Sequence, residues 1–244
     1  MMYTDTTEGA EPITFRSGGF LLQGWLHLPE TDGAPFIVGA HGLLSSGDSP
    51  KQIALARACV GQGIAFFRFD HRGCGQSSGR FQNETTLKAR CEDVKSALDI
   101  LGKRSDLSNR FGLFGSSFGG TVCISVAGQI PVSALVVNAA PLRSRTLSGA
   151  AAAPPGLPVL DESFYREKLQ FDVSEKLARL RAVLVFHGDE DQVVPVENAR
   201  EIYENVGDPK KLRILEKGDH MMSRRSHQTR FVREAVEWFR EHLL

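Results

Sequence analysis

The stretch Gly115-Ser116-Ser117-Phe118-Gly119 decides the fold, because it joins an apolar run to a helix-forming run. Residues Phe111–Phe114 predict a buried strand, and the small and apolar residues from Gly120 onward predict a helix. A serine between glycines at such a junction lies on a sharp turn, with its hydroxyl exposed above the sheet. The backbone N–H of Phe118 would then face any oxyanion that forms on an attacked carbonyl. The sequence therefore predicts that Ser117 is a nucleophile.

A second match to the same Gly-x-Ser-x-Gly pattern, Gly75-Gln76-Ser77-Ser78-Gly79, lacks this context. With 24 glycines in 244 residues, a single match arises easily by chance. Ser77 follows the loop-like run Asp70–Gly75 and precedes the polar run Arg80–Glu84, so no helix is expected to begin at it. We interpret Ser77 as a loop serine and Ser117 as the candidate nucleophile.

Short apolar runs alternate with helical periodicities along most of the chain, which predicts an α/β fold. We expect a mostly parallel, twisted sheet of about eight strands, with helices on both faces. The clearest helix is predicted over Glu84–Lys103, where apolar residues recur at steps of four and three. The other predicted helices are Pro50–Gln62, one from Ser117, Val196–Val206 and Ser226–Leu243. The predicted strands are Ile13–Phe15, Phe20–Leu28, Pro35–Ala40, Ile64–Phe69, Phe111–Phe114, Ala134–Asn138, Ala182–Phe186 and Leu212–Leu215.

One segment, from Pro141 to about Asp172, interrupts this alternation within what we expect to be a single domain over residues 1–244. It is rich in alanine and proline and contains no predicted strand. A structureless connection of this length is usually a functional lid, and a fixed surface loop is the alternative. We expect a lid over Ser117 whose apolar residues, Phe164, Leu157 and Leu160 among them, line an acyl pocket. Its arginines Arg143, Arg145 and Arg166 either meet an acidic substrate or, as is commoner, are solvated.

The composition indicates an ordinary soluble protein, with 41% hydrophobic and 24% charged residues. Acidic and basic residues number 29 each, so neither nucleic acid nor a membrane is expected as a partner, since both favour a basic excess. The four cysteines lack Cys-x-x-Cys spacing, and residues Met1–Glu8 do not resemble a signal peptide, so a cytoplasmic location is expected. No metal motif or phosphate-binding loop is present, and we predict no cofactor and no metal.

Two later motifs supply the groups that a serine nucleophile needs. A serine hydroxyl requires a base to accept its proton, and that base requires a carboxylate to orient it. The strand ending at Phe186 is followed by three carboxylates, up to Asp191, and the last strand is followed by His220. The order Ser…Asp…His, each after a strand, is typical of one hydrolase architecture. We predict His220 as the base and Asp191 as the acid, with Asp189 as the alternative acid.

These motifs resemble the α/β-hydrolase superfamily, and within it bacterial serine esterases of the dienelactone-hydrolase-like and monoacylglycerol-lipase-like branches. The resemblance covers about residues 35–220. It implies that Asp191 is the acid, that the amide of Leu43 is a second oxyanion donor beside that of Phe118, and that the Asp70 run is a structural turn. The motifs are His41-Gly42-Leu43, Asp70–Ser77, Gly115–Gly119, and His187-Gly…Asp191–Pro195 with Gly218–His220.

The resemblance implies hydrolysis of carboxylic esters or thioesters, through an acyl-enzyme on Ser117. Because the segment from Pro141 to about Asp172 is short, we expect small-to-medium acyl or aryl groups. The serine at the turn differs from the aspartate of haloalkane dehalogenases and epoxide hydrolases, and from the cysteine of dienelactone hydrolase proper. Two alternatives stay open. One is acyl transfer by the same three residues, and the other is a non-catalytic binding protein that keeps the fold.

Overall fold

Eight strands pair into one sheet in the computed structural model, which describes residues 9–144, 160 and 162–244. The strands are β1 (Ala10–Ser17), β2 (Phe20–His27), β3 (Ala34–Ala40), β4 (Ala65–Phe69), β5 (Leu107–Ser116), β6 (Ala134–Asn138), β7 (Val183–Gly188) and β8 (Lys210–Leu215). The helices are α1 (Pro50–Val60), α2 (Phe81–Glu84), α3 (Leu87–Leu101), α4 (Phe118–Ala127), α5 (Glu162–Lys168), α6 (Glu197–Asn205) and α7 (Arg225–Leu243), with a 3₁₀ helix at Ser174–Arg179.

The sheet order is β1-β2-β4-β3-β5-β6-β7-β8. Strands β1 and β2 form an antiparallel hairpin, β2 is antiparallel to β4, and all later pairs are parallel. The predicted α/β architecture is confirmed. Because parallel strands share a direction, the loops after β3, β5, β7 and β8 leave the sheet at one edge.

Hydrophobic side chains fill both faces of the sheet. Neighbouring residues of β5, Leu113 and Phe114, belong to different core clusters, as do Leu184 and Val185 of β7. One cluster lies under α3, α4 and α6, and the other lies under α1 and α7. Strands buried on both faces need continuous apolar runs, and this is why such runs predicted them correctly.

Short polar elements differ from the sequence prediction. Helix α3 begins at Leu87 and not at Glu84, because the Thr86 hydroxyl caps it by accepting a hydrogen bond from the Ala89 N–H at 3.1 Å. The polar run Arg80–Glu84 contains the single turn α2, which was not predicted. The segment predicted as structureless contains α5.

The described ends of this segment are packed against the domain. Phe164 is buried and its ring stacks on that of Phe81 with centroids 5.6 Å apart, and Leu160 packs against the same core cluster. Arg143 matches neither expectation, because its guanidinium forms ion pairs with Glu201 and Asp172. The predicted pocket residue Leu157 and the arginine Arg145 lie outside the described residues. Among the described residues, no helix is both long and apolar enough to cross a membrane.

Candidate active site

Ser117 occupies a strained turn between β5 and α4. Its backbone has φ of +54°, a left-handed conformation that non-glycine residues adopt rarely and that is found at many active sites. Its N–H donates to the Asn138 carbonyl at 2.7 Å, and its carbonyl accepts from the Gly120 N–H at 2.8 Å. These bonds hold the turn from both sides, so that the hydroxyl is left at the carboxyl edge of the sheet.

The flanking glycines allow the backbone segments to approach one another closely. A Cβ on Gly119 would lie 2.1 Å from the Ala40 carbonyl oxygen, and one on Gly115 would lie 2.3 Å from the Gly119 oxygen. Both distances are far inside van der Waals contact. The turn therefore needs glycine at these two positions, so that α4 can pack closely against both β3 and β5.

His220 connects Ser117 to Asp191. Its Nε2 lies 3.0 Å from the Ser117 Oγ, and its Nδ1 lies 2.8 Å from the Asp191 Oδ2. Because a carboxylate only accepts hydrogen bonds, Nδ1 carries the proton of the neutral ring, and Nε2 is free to accept from the serine hydroxyl. The three residues predicted from sequence thus lie together in a hydrogen-bonded row.

The Asp191 carboxylate is fully buried, and hydrogen-bond donors surround it. Its Oδ1 accepts from the N–H groups of Val193 and Val194 at 2.8 and 2.9 Å. Burial by itself raises the pKa of Asp191, but hydrogen bonds from His187, His220 and Val194, with the charge of His220, hold that pKa well below its usual range. The alternative acid, Asp189, is exposed and accepts a bond from the Gly218 N–H at 3.3 Å.

A second histidine, His187, also contacts this carboxylate. Its buried Nε2 donates to the Val194 carbonyl at 2.8 Å and lies 3.2 Å from the Asp191 Oδ2. This bond to Val194 braces the backbone of the loop that carries Asp191. The added contact with the acid was missed, because nothing in the spacing shows that the loop folds back on this ring.

The loop His41-Gly42-Leu43 lies against the Ser117 turn. A Cβ on Gly42 would be 3.5 Å from the Ser117 Cβ. Behind the loop, the buried guanidinium of Arg90 donates to the carbonyls of Gly42 and Leu43 at 3.0 and 2.9 Å. Sequence reasoning did not find Arg90. The available signal is a charged residue on the buried face of α3, between Leu87 and Val94 in the apolar stripe.

The Asp70 run forms a turn held by its own aspartate. The Asp70 carboxylate accepts from the N–H groups of Gly47 and Gln76 at 2.7 and 2.8 Å. The Ser77 hydroxyl donates to the Asp70 carbonyl at 2.6 Å and accepts from the Gln23 N–H at 3.0 Å. Ser77 thus uses its hydroxyl to brace backbone, as expected for a loop serine.

Lys51, at the start of α1, anchors the loop that carries His220. Its Nζ donates to the Met221 carbonyl at 3.1 Å. Burial lowers the pKa of Lys51 to about 8, while the carboxylates of Asp219 and Asp191 act in the opposite direction. A cation therefore lies beside the loop that carries His220.

Comparison with known proteins shows the family of the chain. The family model described as serine aminopeptidase, S33, matches residues 33–178, so the chain belongs to that family. It is 30% identical over 223 residues to the uncharacterized protein YfhR of Escherichia coli O157:H7, covering 87% of this chain and 74% of the relative.

Solved structures share the fold over nearly the whole chain. Est1E of Butyrivibrio proteoclasticus, solved with ferulic acid bound, has a TM-score of 0.81 at 20% identity, covering 94% of this chain and 98% of that one. An esterase of Pyrococcus furiosus has a TM-score of 0.81 at 17% identity, covering 100% and 96%. The fold is that of the α/β-hydrolases, and the resemblance inferred from the motifs is confirmed.

Proposed function

We propose that this protein is a serine hydrolase that cleaves carboxylic esters or thioesters of small-to-medium acyl or aryl groups. The observation that carries the proposal is the row Ser117–His220–Asp191, with distances of 3.0 and 2.8 Å, on a strained turn at the carboxyl edge of the sheet. A structural serine at a helix start needs neither the strain nor the aligned imidazole.

In the proposed reaction, the Ser117 Oγ attacks the ester carbonyl while His220 Nε2 accepts its proton. The amides of Phe118 and Leu43 stabilise the tetrahedral oxyanion, and Asp191 stabilises the imidazolium. The intermediate collapses, His220 protonates the departing alcohol or thiol, and the acyl group stays on Ser117. A water molecule, activated by His220, then releases the acid and restores the serine.

The decisive test compares two serines that both fit the Gly-x-Ser-x-Gly pattern. Ser117→Ala should lose at least about 10³-fold in kcat on a short p-nitrophenyl ester, because it removes the nucleophile. Ser77→Ala, whose hydroxyl braces the Asp70 turn, should keep kcat within a few-fold. Labelling of the wild type by a fluorophosphonate should disappear in Ser117→Ala alone. Equal losses in both variants, or in neither, would refute the assignment.

A substrate panel separates this function from its alternatives. It contains p-nitrophenyl esters from acetyl to long-chain, a feruloyl ester, a thioester and aminoacyl p-nitroanilides, the last because of the family description. We expect the highest kcat/KM on short-to-medium or aryl esters. Turnover of the anilides alone would indicate a peptidase. Formation of a new ester with an added alcohol, in preference to the free acid, would indicate acyl transfer. A folded protein that shows neither fluorophosphonate labelling nor turnover would indicate a binding protein.

A further inference from the structure

Arg90 is a buried cation that faces backbone. It lies on α3 with none of its side chain exposed, and its guanidinium is aimed at the loop after β3. Burial lowers the pKa of Arg90, yet an arginine stays protonated in proteins. Bringing this charge into the core carries a large desolvation cost, which its contacts must offset.

The contacts of Arg90 converge on three successive carbonyls. Nη1 donates to the Gly42 oxygen at 3.0 Å and lies 3.4 Å from the His41 oxygen, while Nη2 donates to the Leu43 oxygen at 2.9 Å. The guanidinium also lies over the ring of Phe118, 5.3 Å from its centroid. A single side chain thus contacts both residues whose amides are the proposed oxyanion donors.

The Gly42 carbonyl and the Leu43 N–H belong to the same peptide unit. In a trans peptide these two groups point in opposite directions, so a donor that holds the carbonyl from behind fixes the direction of the N–H. His41 Nδ1 donates to the same oxygen at 2.8 Å, while its Nε2 accepts from the His71 N–H at 3.1 Å. The carbonyl is therefore held by two donors on the side away from its own N–H.

We infer that Arg90 is a positioning residue that orients and polarises the Gly42–Leu43 peptide, so that the Leu43 N–H is preset to bind the oxyanion on the substrate of Ser117. This inference rests on the proposed serine hydrolase function. A charged donor on the carbonyl strengthens the N–H of the same peptide as a donor, because hydrogen bonds in a chain polarise one another. A preset donor also needs no reorganisation as the oxyanion forms.

The effect belongs to the transition state and not to ground-state binding. Removal of one oxyanion donor costs about 10²- to 10³-fold in kcat in serine hydrolases. Arg90→Met keeps the apolar stem but leaves the peptide without its charged donor, so we expect kcat to fall about 10²-fold with KM within about threefold. Arg90→Lys keeps the positive charge, so we expect a smaller loss in kcat than in Arg90→Met. Some loss should remain, because a lysine cannot contact all three carbonyls.

Arg68 provides a matched control. It is also a fully buried arginine that donates to a backbone carbonyl, that of Gly47 at 3.1 Å, and lies over an aromatic ring, that of Trp25 at 4.7 Å. Arg68→Met should destabilise the fold to a similar degree. Arg68 contacts Gly47, which follows the loop His41-Gly42-Leu43 in the chain. We therefore expect kcat of the Arg68→Met variant to stay within about threefold of the wild type.

The experiment measures kcat and KM on p-nitrophenyl butyrate, the inhibition constant of a butyl boronic acid, and thermal unfolding. The boronic acid forms a tetrahedral anion on the serine, so Arg90→Met should weaken its binding about as much as it lowers kcat. Normal kcat in the folded Arg90→Met variant, or equal losses in Arg68→Met, would overturn the inference.

Three further outcomes are also decisive. If Arg90→Met does not fold, Arg90→Lys takes its place: a lower kcat with matched weakening of the boronic acid supports the inference, and an unchanged kcat overturns it. If the wild type shows no hydrolysis that depends on Ser117, the proposed function itself fails and the inference falls with it. If the wild type is active and the Arg90 variants keep the same activity, the proposed function stands and only the inference about Arg90 is rejected.

Discussion

Asp191 accepts hydrogen bonds at both carboxylate oxygens, and each oxygen has a different role. Oδ1 receives the amides of Val193 and Val194 and so holds its own loop, whereas Oδ2 faces His220 and His187. An asparagine could keep the first set through its carbonyl oxygen but would present an amide nitrogen to the imidazole. The carboxylate charge and the loop anchor can therefore be separated by a single substitution.

We expect Asp191→Asn to lose about 10³- to 10⁴-fold in kcat on a short p-nitrophenyl ester, because His220 would be held in the wrong tautomer. The control is Asp189→Asn, which alters an exposed carboxylate on the same loop and should keep kcat within about threefold. Circular dichroism at 25 °C checks that both variants fold. A larger loss in Asp189→Asn would make Asp189 the acid.

The sequence identified the residues that end up in the row, because each follows a strand and parallel strands end at one edge. It did not identify Arg90 or the contact between His187 and Asp191. Arg90 is distant in the chain from the loop that it contacts, and His187 reaches Asp191 only because the loop turns back. Such contacts depend on side-chain direction, which no spacing specifies.

At the scale of elements, the long ones follow from periodicity and the short ones do not. Helices α3 and α7 are long enough for an apolar stripe to repeat, so both were predicted to within three residues at each end. Helices α2 and α5 have 4 and 7 residues, too few to show a period, and both were missed. Tertiary contacts hold them, as in the stacked rings of Phe81 and Phe164.

Helix α5 lies in the segment that we expect to cover the site. A substitution of Phe164, which this helix carries, tests whether the segment lines the acyl pocket. Phe164 belongs to the same buried cluster as Phe118, and Leu43 and Leu160 pack against it. We expect Phe164→Leu to shift the preferred acyl chain length upward through KM while kcat on the best ester is kept, since pocket contacts bind ground and transition states alike.

The substitution in Phe164→Leu is deliberately mild, because truncation of a buried phenylalanine to alanine costs about 3–5 kcal/mol. Phe239→Leu, in the core cluster on the other face of the sheet, controls for lost stability. The ester panel from acetyl to long-chain acids is the measurement. The same profile in wild type and Phe164→Leu, with normal thermal unfolding, would contradict the pocket role.

At the scale of the whole molecule, formal charge is balanced over the chain, and several basic side chains are buried alongside the carboxylates of Asp70 and Asp93. The chain has 29 acidic and 29 basic residues, yet the arginines Arg68 and Arg90 and the histidines His27, His41 and His71 are buried. Buried bases favour their neutral form unless a carboxylate compensates. Folding thus lowers the pKa of the buried histidines His27, His41 and His71, whereas the arginines stay protonated.

The free energy of unfolding should therefore decrease as the pH is lowered below about 6.5, the ordinary pKa of histidine. His27 offers the clearest test. Burial, followed by the charges of Arg68 and Arg57, lowers the pKa of His27 to about 4, and its Nε2 accepts from the Arg68 Nε at 3.0 Å. The unfolded chain takes up this proton near pH 6.5, before the folded chain does. This contribution to stability is fully present above pH 6.5 and is lost progressively down to about pH 4.

We expect His27→Gln to make the free energy of unfolding less dependent on pH in this window, by up to about 1.4 kcal/mol per pH unit, because one fewer proton is taken up on unfolding. The glutamine oxygen can still accept from Arg68, so the packing at neutral pH is largely kept. Urea unfolding at pH 7, 6 and 5 measures the slope. If the variant and the wild type lose stability in parallel as the pH falls, folding does not lower the pKa of His27.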